Sequence, residues 1–254
     1  MYARFHRVIV VIGAIALVLT SSASVGAASP APVVGGPSGQ GVCAAQARAA
    51  RSNGTVAALR AFGNCEIARR QATLTTLAAA VRGSKVLTAS DRSALASMIA
   101  ADSSGLATLK TAISGTVSLP TLKLEIVAIA SKYRVYLLLG PQVYLTNAAD
   151  GVLALQPALS GLAADLARRI AAAQASGADV TAAQAALDAM NSETAAAMSL
   201  ASPVPGMLLP LTAADWNGGT AGPVIVRARS ALVAAGADLR SAVSHARAAL
   251  AGLE

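Results

Sequence analysis

The feature that most constrains this chain is the spacing of its apolar residues, which recur throughout at steps of three and four. Such steps place side chains on one face of an α-helix, whereas a half-buried strand alternates apolar and polar residues. We find no convincing strand-like alternation. The clearest stripes contain Ile67, Arg70, Leu74, Leu77 and Val81, and then Leu95, Ile99, Asp102, Leu106, Leu109 and Ile113. The sequence therefore predicts an all-α fold with coiled-coil-like packing.

Turn signals divide the helical pattern into two sets of three segments. They lie near residues 66–83, 88–114 and 118–139, and near residues 141–176, 181–201 and 224–250. At Gly140-Pro141 we expect a kink rather than a hairpin, because helical spacing resumes at once and proline disturbs the preceding turn. We predict an elongated antiparallel helical bundle. It is either two three-helix units joined by a long kinked helix or a single compact bundle.

The predicted organisation has four parts. Residues 1–27 are a predicted signal peptide, residues 28–42 a flexible tether, residues 43–140 a disulfide-stapled N-terminal helical unit, and residues 141–254 a C-terminal helical unit. Within the last part, the proline-rich residues 202–223 are predicted to form a loop that is long for a compact bundle.

The predicted leader has the three-part layout of a secretory signal. Arg4, His6 and Arg7 precede an apolar run of residues 8–19, which is too short to span a bilayer, and small residues follow. Cleavage after Ala27 and cleavage after Ala28 fit equally well. The pattern predicts a secreted or cell-envelope protein, with no transmembrane span after the leader is removed.

Cys43 and Cys65 are the only cysteines, and export makes a disulfide between them the expected state. Their spacing is not the Cys-x-x-Cys pattern of redox-active pairs. We expect the bond to pin a short helix, residues 56–62, onto a helix that begins at Glu66. In the chain-entropy model a loop of this size stabilises the fold by roughly 3 kcal/mol.

Alanine supplies most of the 55% hydrophobic content, and the chain carries a formal net charge of +8. Removing the leader deletes two arginines and no acid, so the charge becomes +6 (8 − 2). We expect an anionic cell-envelope polymer or another envelope protein as partner. The candidate contact residues are the basic pairs Arg69-Arg70, Arg168-Arg169 and Arg227-x-Arg229. Few aromatic residues lie beside them, so we expect no nucleic-acid binding.

The stretch 119–155 holds the large side chains on which a core of this composition depends. Its Tyr133, Arg134, Tyr136 and Tyr144 form a candidate ligand cleft, with core packing at the kink as the alternative. Charged residues also interrupt the apolar stripes, and a buried charge needs a partner. We therefore predict that Arg70 or Arg134 neutralises Asp102 or Asp150, which are the candidate buried ion pairs.

The sequence shows no pattern that predicts catalysis, a metal site or a cofactor. Outside the leader His245 is the sole histidine, no Gly-x-Ser-x-Gly elbow is present, and the acids are scattered without calcium-loop spacing. The residues therefore predict no catalytic, cofactor-binding or metal-ligating set, and we expect a protein that is not an enzyme.

Three short segments resemble exported, alanine-rich helical proteins of actinobacterial type. They are Cys65-Glu66-Ile67-Ala68-Arg69-Arg70, Lys132-Tyr133-Arg134-Val135-Tyr136 and Pro141-Gln142-Val143. The resemblance implies export and a helical fold, and no activity carries over from this group. From the residues we expect a non-enzymatic interaction or spacer module of the envelope or extracellular space. The alternative is a helical bundle that binds a small molecule near Tyr133, Tyr136 and Tyr144.

Overall fold

The computed structural model describes residues 41–253, and all regular structure within them is helical. The all-α prediction is therefore confirmed. The predicted signal peptide (1–27) lies outside the described residues, as does the tether (28–42) up to Gln40. The helices are α1 (Ala44–Asn53), α2 (Val56–Gly83), α3 (Ala89–Gly115), α4 (Leu119–Ser131), α5 (Gly140–Leu153), α6 (Gln156–Ala175), α7 (Thr181–Ala201), α8 (Val204–Leu208), α9 (Ala213–Asn217) and α10 (Ala221–Ala251).

The chain divides into two compact units, and each is made of two separate stretches. The N-terminal unit comprises residues 41–144 and the returning segment Leu208–Ile225. The C-terminal unit comprises Leu145–Met207 and residues 226–253. The three boundaries fall inside α5, α8 and α10. The sequence pattern gave no sign that the returning segment belongs with the first half of the chain.

In the N-terminal unit, α2, α3 and α4 pack in antiparallel order, joined by the short connections 84–88 and 116–118. The predicted stripes point inward. The fully buried side chains include Ile67, Leu74, Leu77, Leu95, Leu106, Ile113, Leu122 and Ile129. Their steps of three and four give each helix one continuous contact face, which is the packing typical of helices crossing at small angles.

The N-terminal end of this unit differs from the expected short helix at 56–62 followed by a separate helix from Glu66. Residues 56–83 form one continuous helix, with Thr55 accepting a hydrogen bond from the Ala58 N–H as its N-cap. Gly63 lies within this helix, and a Cβ there would lie 3.2 Å from the Ile113 side chain and 3.4 Å from that of Ile126. The glycine therefore serves close helix packing.

The predicted disulfide forms between Cys43, at the start of α1, and Cys65, within α2, with the Cα atoms 5.9 Å apart. It fastens α1, a helix that the sequence analysis did not predict, against α2.

Two arginines close helix ends inside the unit. Arg92 donates from its guanidinium to the carbonyls of Val81 (2.8 Å) and Ser84 (3.0 Å), where α2 ends. Arg60 donates to the carbonyls of Ile113 (3.2 Å) and Thr116 (2.8 Å), where α3 ends. The last carbonyls of a helix lack partners within it, and a cation suits that end of the dipole. Arg60 and Arg92 therefore stabilise the ends of α3 and α2.

The kink predicted at Gly140-Pro141 is confirmed, but the distortion begins earlier. The helix stops at Ser131, and Val135–Leu139 form a π-helical turn in which the Gly140 N–H donates to the Val135 carbonyl. A π-helical turn is wider than an α-helical turn. It accommodates both the ring of Pro141 and the loss of one helical hydrogen bond, since proline has no backbone N–H. Residues 138–143 are all buried, so the distorted segment passes through the core.

In the C-terminal unit the long helices are α6, α7 and the greater part of α10. The buried face of α10 follows strict steps of three and four: Ile225, Ala228, Leu232, Ala235, Leu239, Ala242, Ala246 and Ala249. Alanine thus occupies every seventh position from 228 to 249. A Cβ on Gly252, just beyond α10, would lie 3.3 Å from that of Ala183 near the start of α7. These small residues allow close approach of the helices.

The segment 202–223, expected to be a loop, contains α8 and α9, and α10 begins within it. Its prolines fall between these helices or in their first turns, where a missing N–H costs no helical hydrogen bond. The Thr212 hydroxyl caps α9 and the Asp215 carboxylate accepts from the Thr212 N–H at 2.8 Å. The fully buried Gln142 amide donates to the carbonyls of Leu208 (2.8 Å) and Leu211 (2.9 Å).

Two glycines in identical sequence contexts give a stability prediction. Both occur in Ser-Gly-Leu-Ala, but a Cβ on Gly105 would lie 2.6 Å from Tyr133 Cε1, whereas nothing lies within 4 Å of one on Gly161. Gly105→Ala should lower the free energy of unfolding by about 1–2 kcal/mol through overpacking. Gly161→Ala should raise it by up to about 1 kcal/mol, because alanine favours the helix. Urea denaturation of both variants checks this, and equal effects would contradict it.

Candidate functional site

The three tyrosines of the central stretch contact different parts of the N-terminal unit. Tyr133 packs against α3 at Gly105, and Tyr144 packs, partly buried, against the hydrophobic core. The Tyr136 ring lies beside α2, with the guanidinium carbons of Arg69 and Arg70 at 5.0 and 5.4 Å from its centroid. Tyr133, Tyr144 and Tyr136 thus contact α3, the hydrophobic core and α2 of the N-terminal unit, respectively.

The fourth member of the predicted cluster, Arg134, is held by the returning segment. Its guanidinium donates to the Asn217 side-chain carbonyl, with an Nε–Oδ1 distance of 2.9 Å. The Asn217 amide in turn donates to the Ser131 carbonyl at 2.8 Å. Asn217 therefore closes the C-terminal end of α4 and holds Arg134 in place.

Arg70 is buried as expected, with 9% of its side chain exposed, but its partner is Glu66. The Arg70 Nη1–Glu66 Oε2 distance is 2.5 Å, and Arg69 reaches the same oxygen at 2.8 Å. Arg70 is thus neutralised by a residue one helical turn away, not by Asp102. The sequence signal for this pair was present, since Glu66, Arg69 and Arg70 have the three- and four-residue spacings of helix neighbours.

Asp102 lies half-buried on the inner face of α3, and within residues 41–253 no ion pair joins it to a basic side chain. Desolvation raises its pKa to about 6. The pKa of Tyr133 is raised first by its own desolvation and then by the charge of Asp102. Asp150, the other predicted buried acid, lies in α5 and is 3% exposed.

An open groove of about 370 Å³ runs between α2 and α3. Leu74 and Ile99 lie at its base, and the small side chains of Ala78, Ala96 and Ala100 form its walls. None of the central tyrosines lines it. Its position therefore differs from that of the predicted ligand cleft.

The basic pairs read from the sequence have different environments in the structure. Arg69 and Arg70 both form ion pairs with Glu66, and their guanidinium groups lie over the Tyr136 ring. Arg168 and Arg169 both bond the Asp165 carboxylate, at 2.8 and 3.1 Å. Arg227 and Arg229 are exposed, but neighbours two positions apart on a helix lie on nearly opposite flanks.

The structure instead aligns Arg229 with two more distant arginines. Arg229, Arg240 and Arg247 are separated by eleven and seven residues, close to three and two whole turns, so they share one flank of α10. All three are exposed, and none forms an ion pair or side-chain hydrogen bond among the described residues. Asp238 and His245 lie on the opposite flank. We call Arg229, Arg240 and Arg247 the α10 arginine face.

Among residues 41–253, no group of three or more His, Cys, Asp or Glu side chains is arranged to hold a metal ion. No helix in that range combines the length and the apolar content that a membrane span requires.

Comparison of the chain with protein-family models, with curated proteins and with solved structures gave no match.

The raised pKa of Asp102 predicts a pH dependence of stability. Its pKa of about 6 in the folded state lies above the usual 3.8, so the folded protein holds the proton more tightly. The corresponding stability is fully present below about pH 4 and is lost as the pH rises through about 6. Asp102→Asn should therefore flatten the profile and stabilise the protein at pH 7 by about 1 kcal/mol, allowing for partial exposure.

Denaturant midpoints from pH 4 to 7 test this, with exposed Asp188→Asn as the control. A wild-type midpoint that does not fall over this range relative to that of the Asp102→Asn variant would contradict it.

The shared carboxylate of Glu66 predicts unequal effects of breaking its contacts. Glu66→Gln leaves the buried Arg70 without a counter-charge, whereas Arg70→Met leaves Glu66 paired with Arg69. Glu66→Gln should cost about 3 kcal/mol and Arg70→Met about 1 kcal/mol or less. Arg168→Met, in an exposed pair, should change stability by less than about 0.5 kcal/mol. Chemical denaturation ranks the three, and a larger cost for Arg70→Met would refute the assignment.

Proposed function

We propose that this protein is an exported, non-enzymatic helical module of the cell envelope or extracellular space that binds an anionic envelope polymer. The observation that carries the proposal is the α10 arginine face. Its three arginines are exposed, share one flank of a helix and lack an ion pair among the described residues. They are therefore available to an external anion.

The geometry of this face suits an extended ligand better than a compact one. Successive arginines are about 16 Å and about 10 Å apart along the helix axis, from a rise of 1.5 Å per residue. A small anion reaches one of them, whereas a polymer with repeated phosphate or carboxylate groups reaches all three. Guanidinium groups bind both groups in a bidentate manner.

Several other basic residues already bond groups within the protein, which reduces the number of surfaces that are candidates for polymer binding. Arg60 and Arg92 bond carbonyls at helix ends, and Arg70 is buried against Glu66. Arg168 shares the Asp165 carboxylate with its neighbour. The net positive charge of the sequence is thus a poor guide to where a polymer binds, and the unengaged arginines of α10 are the better candidates.

The leader-like residues 1–27 and the Cys43–Cys65 disulfide support the extracytoplasmic part of the proposal. Disulfides are typical of oxidising compartments outside the cytoplasm. An interaction or spacer role also suits two helical units whose buried faces are mainly aliphatic.

The test is co-sedimentation of the oxidised protein with purified cell-wall material across a salt titration. Retention should fall as salt rises from about 50 to 500 mM, because screening weakens exposed charge contacts. The variant Arg229→Gln/Arg240→Gln/Arg247→Gln should bind about tenfold more weakly, since each exposed contact contributes up to about 1 kcal/mol.

The matched control is Arg48→Gln/Arg51→Gln/Arg82→Gln, which removes the same charge from three exposed arginines elsewhere. It should bind within about twofold of wild type. Equal losses in the two triple variants would show that net charge, not the α10 arginine face, drives retention. No retention of the wild type at low salt would refute the proposal.

A further inference from the structure

Helix α4 is apolar on two opposite sides. Its inner side packs on α2 and α3 through Leu122 and Ile129, which are 0% and 2% exposed. Its outer side carries Leu124 and Val127, which are 72% and 62% exposed. A surface helix normally has one apolar stripe facing the core and a polar face toward solvent. The second, exposed apolar stripe therefore indicates contact with an external partner.

The outer stripe is continuous with the turn before the helix. Val117, which is 82% exposed, lies in the connection just before the helix, and the exposed Pro120 precedes Leu124 and Val127 at steps of four and three residues. We call Val117, Pro120, Leu124 and Val127 the α4 outer face. Large exposed apolar side chains are otherwise scattered over the described residues, whereas here they line one side of a short helix. Such grouped exposure marks an interaction surface.

Charge decides what kind of partner fits. Lys123 and Lys132 are exposed, and helix geometry places them on opposite sides of the outer stripe. Glu125, the sole acid of α4, is half-buried and accepts a hydrogen bond from the Thr116 hydroxyl at 2.9 Å. The surface thus has an apolar centre between two cations, with no exposed acid on the helix.

We propose that the α4 outer face docks on the surface of an anionic lipid bilayer. Leu124 and Val127 enter the boundary between headgroups and acyl chains, and Lys123 and Lys132 contact the lipid phosphates. Binding to an anionic lipid surface combines burial of apolar side chains with electrostatic attraction between basic side chains and the headgroups. A second copy of this chain fits less well, because pairing two outer faces brings lysines together without an exposed acid to neutralise them.

The size of the patch agrees with a reversible lipid contact. Stable protein interfaces bury about 800 Å² on each partner, which takes about 20–30 residues a side. The α4 outer face has four apolar residues, too few for such an interface, whereas in lipid binding electrostatic attraction adds to a limited apolar burial. This inference concerns the N-terminal unit and does not depend on the polymer contact proposed for α10.

The experiment is co-sedimentation of the oxidised protein with vesicles of phosphatidylglycerol and phosphatidylcholine (1:1), compared with pure phosphatidylcholine. Wild type should bind the anionic vesicles at least about fivefold more strongly. Leu124→Ser/Val127→Ser should weaken that binding about tenfold. The control Val226→Ser/Val233→Ser, which alters two other exposed valines, should leave it within about twofold.

A second measurement detects insertion directly. Leu124→Trp should add a fluorescence component that shifts to shorter wavelength with anionic vesicles, relative to a background containing only Trp216. Val233→Trp should show no such shift. Because both positions are exposed, neither substitution disturbs the core.

Several results would overturn the proposal. They are no vesicle binding by wild type, equal binding to neutral vesicles, or equal losses in the two double-serine variants. Loss of vesicle binding in the α10 glutamine variant without loss in Leu124→Ser/Val127→Ser would assign the contact to α10. Concentration-dependent dimers in light scattering that Leu124→Ser/Val127→Ser abolishes would assign the α4 outer face to a second copy.

Discussion

The structure depends on close contact between helices, and in α10 the buried face that makes this contact contains little apolar bulk. Alanine takes five of the eight positions in the buried stripe of α10, and the larger side chains are Ile225, Leu232 and Leu239. Burial contributes about 25 cal/mol per Å², so an alanine contact adds little. Stability then rests on the regular spacing that lets many small contacts form at once, on the larger side chains between them, and on the Cys43–Cys65 bond.

The packing of the central segment depends on the same requirement for close contact between helices. Where Tyr133 meets α3, the facing residue is Gly105, and where α2 meets α3 and α4, it is Gly63. Large groups are thus matched by the absence of a side chain on the opposite helix. The π-helical turn at Val135–Leu139 carries the chain past Pro141 while keeping residues 138–143 in the core.

The sequence predicted those parts of the fold that depend on local periodicity. The stripes in α2 and α3 are buried as predicted, apart from the half-buried Asp102 and Leu109, and the kink and disulfide occur as predicted. It did not predict the return of Leu208–Ile225 to the N-terminal unit, because the Gln142 contacts join residues more than sixty positions apart. Prolines also suggested a loop at 202–223, although their positions permit helices. The candidate site residues were more difficult to predict than the fold. Arginines close in sequence suggested one basic surface, but helix geometry places Arg227 and Arg229 on different sides of α10 and Arg229 on the same side as Arg240.

The Gln142 contacts impose an order on folding. Gln142 lies in the stretch of the N-terminal unit that is synthesised first, but its acceptors, the carbonyls of Leu208 and Leu211, follow only after most of the C-terminal unit. These acceptors are therefore absent while α2, α3 and α4 are synthesised, and the Gln142 amide cannot donate to them until residues 208–211 follow. Long-range closure of this kind is slow, because the intervening chain must first be ordered. The N-terminal unit is thus complete only at Ile225, after Leu145–Met207 of the other unit, and residues 226–253 then complete the C-terminal unit.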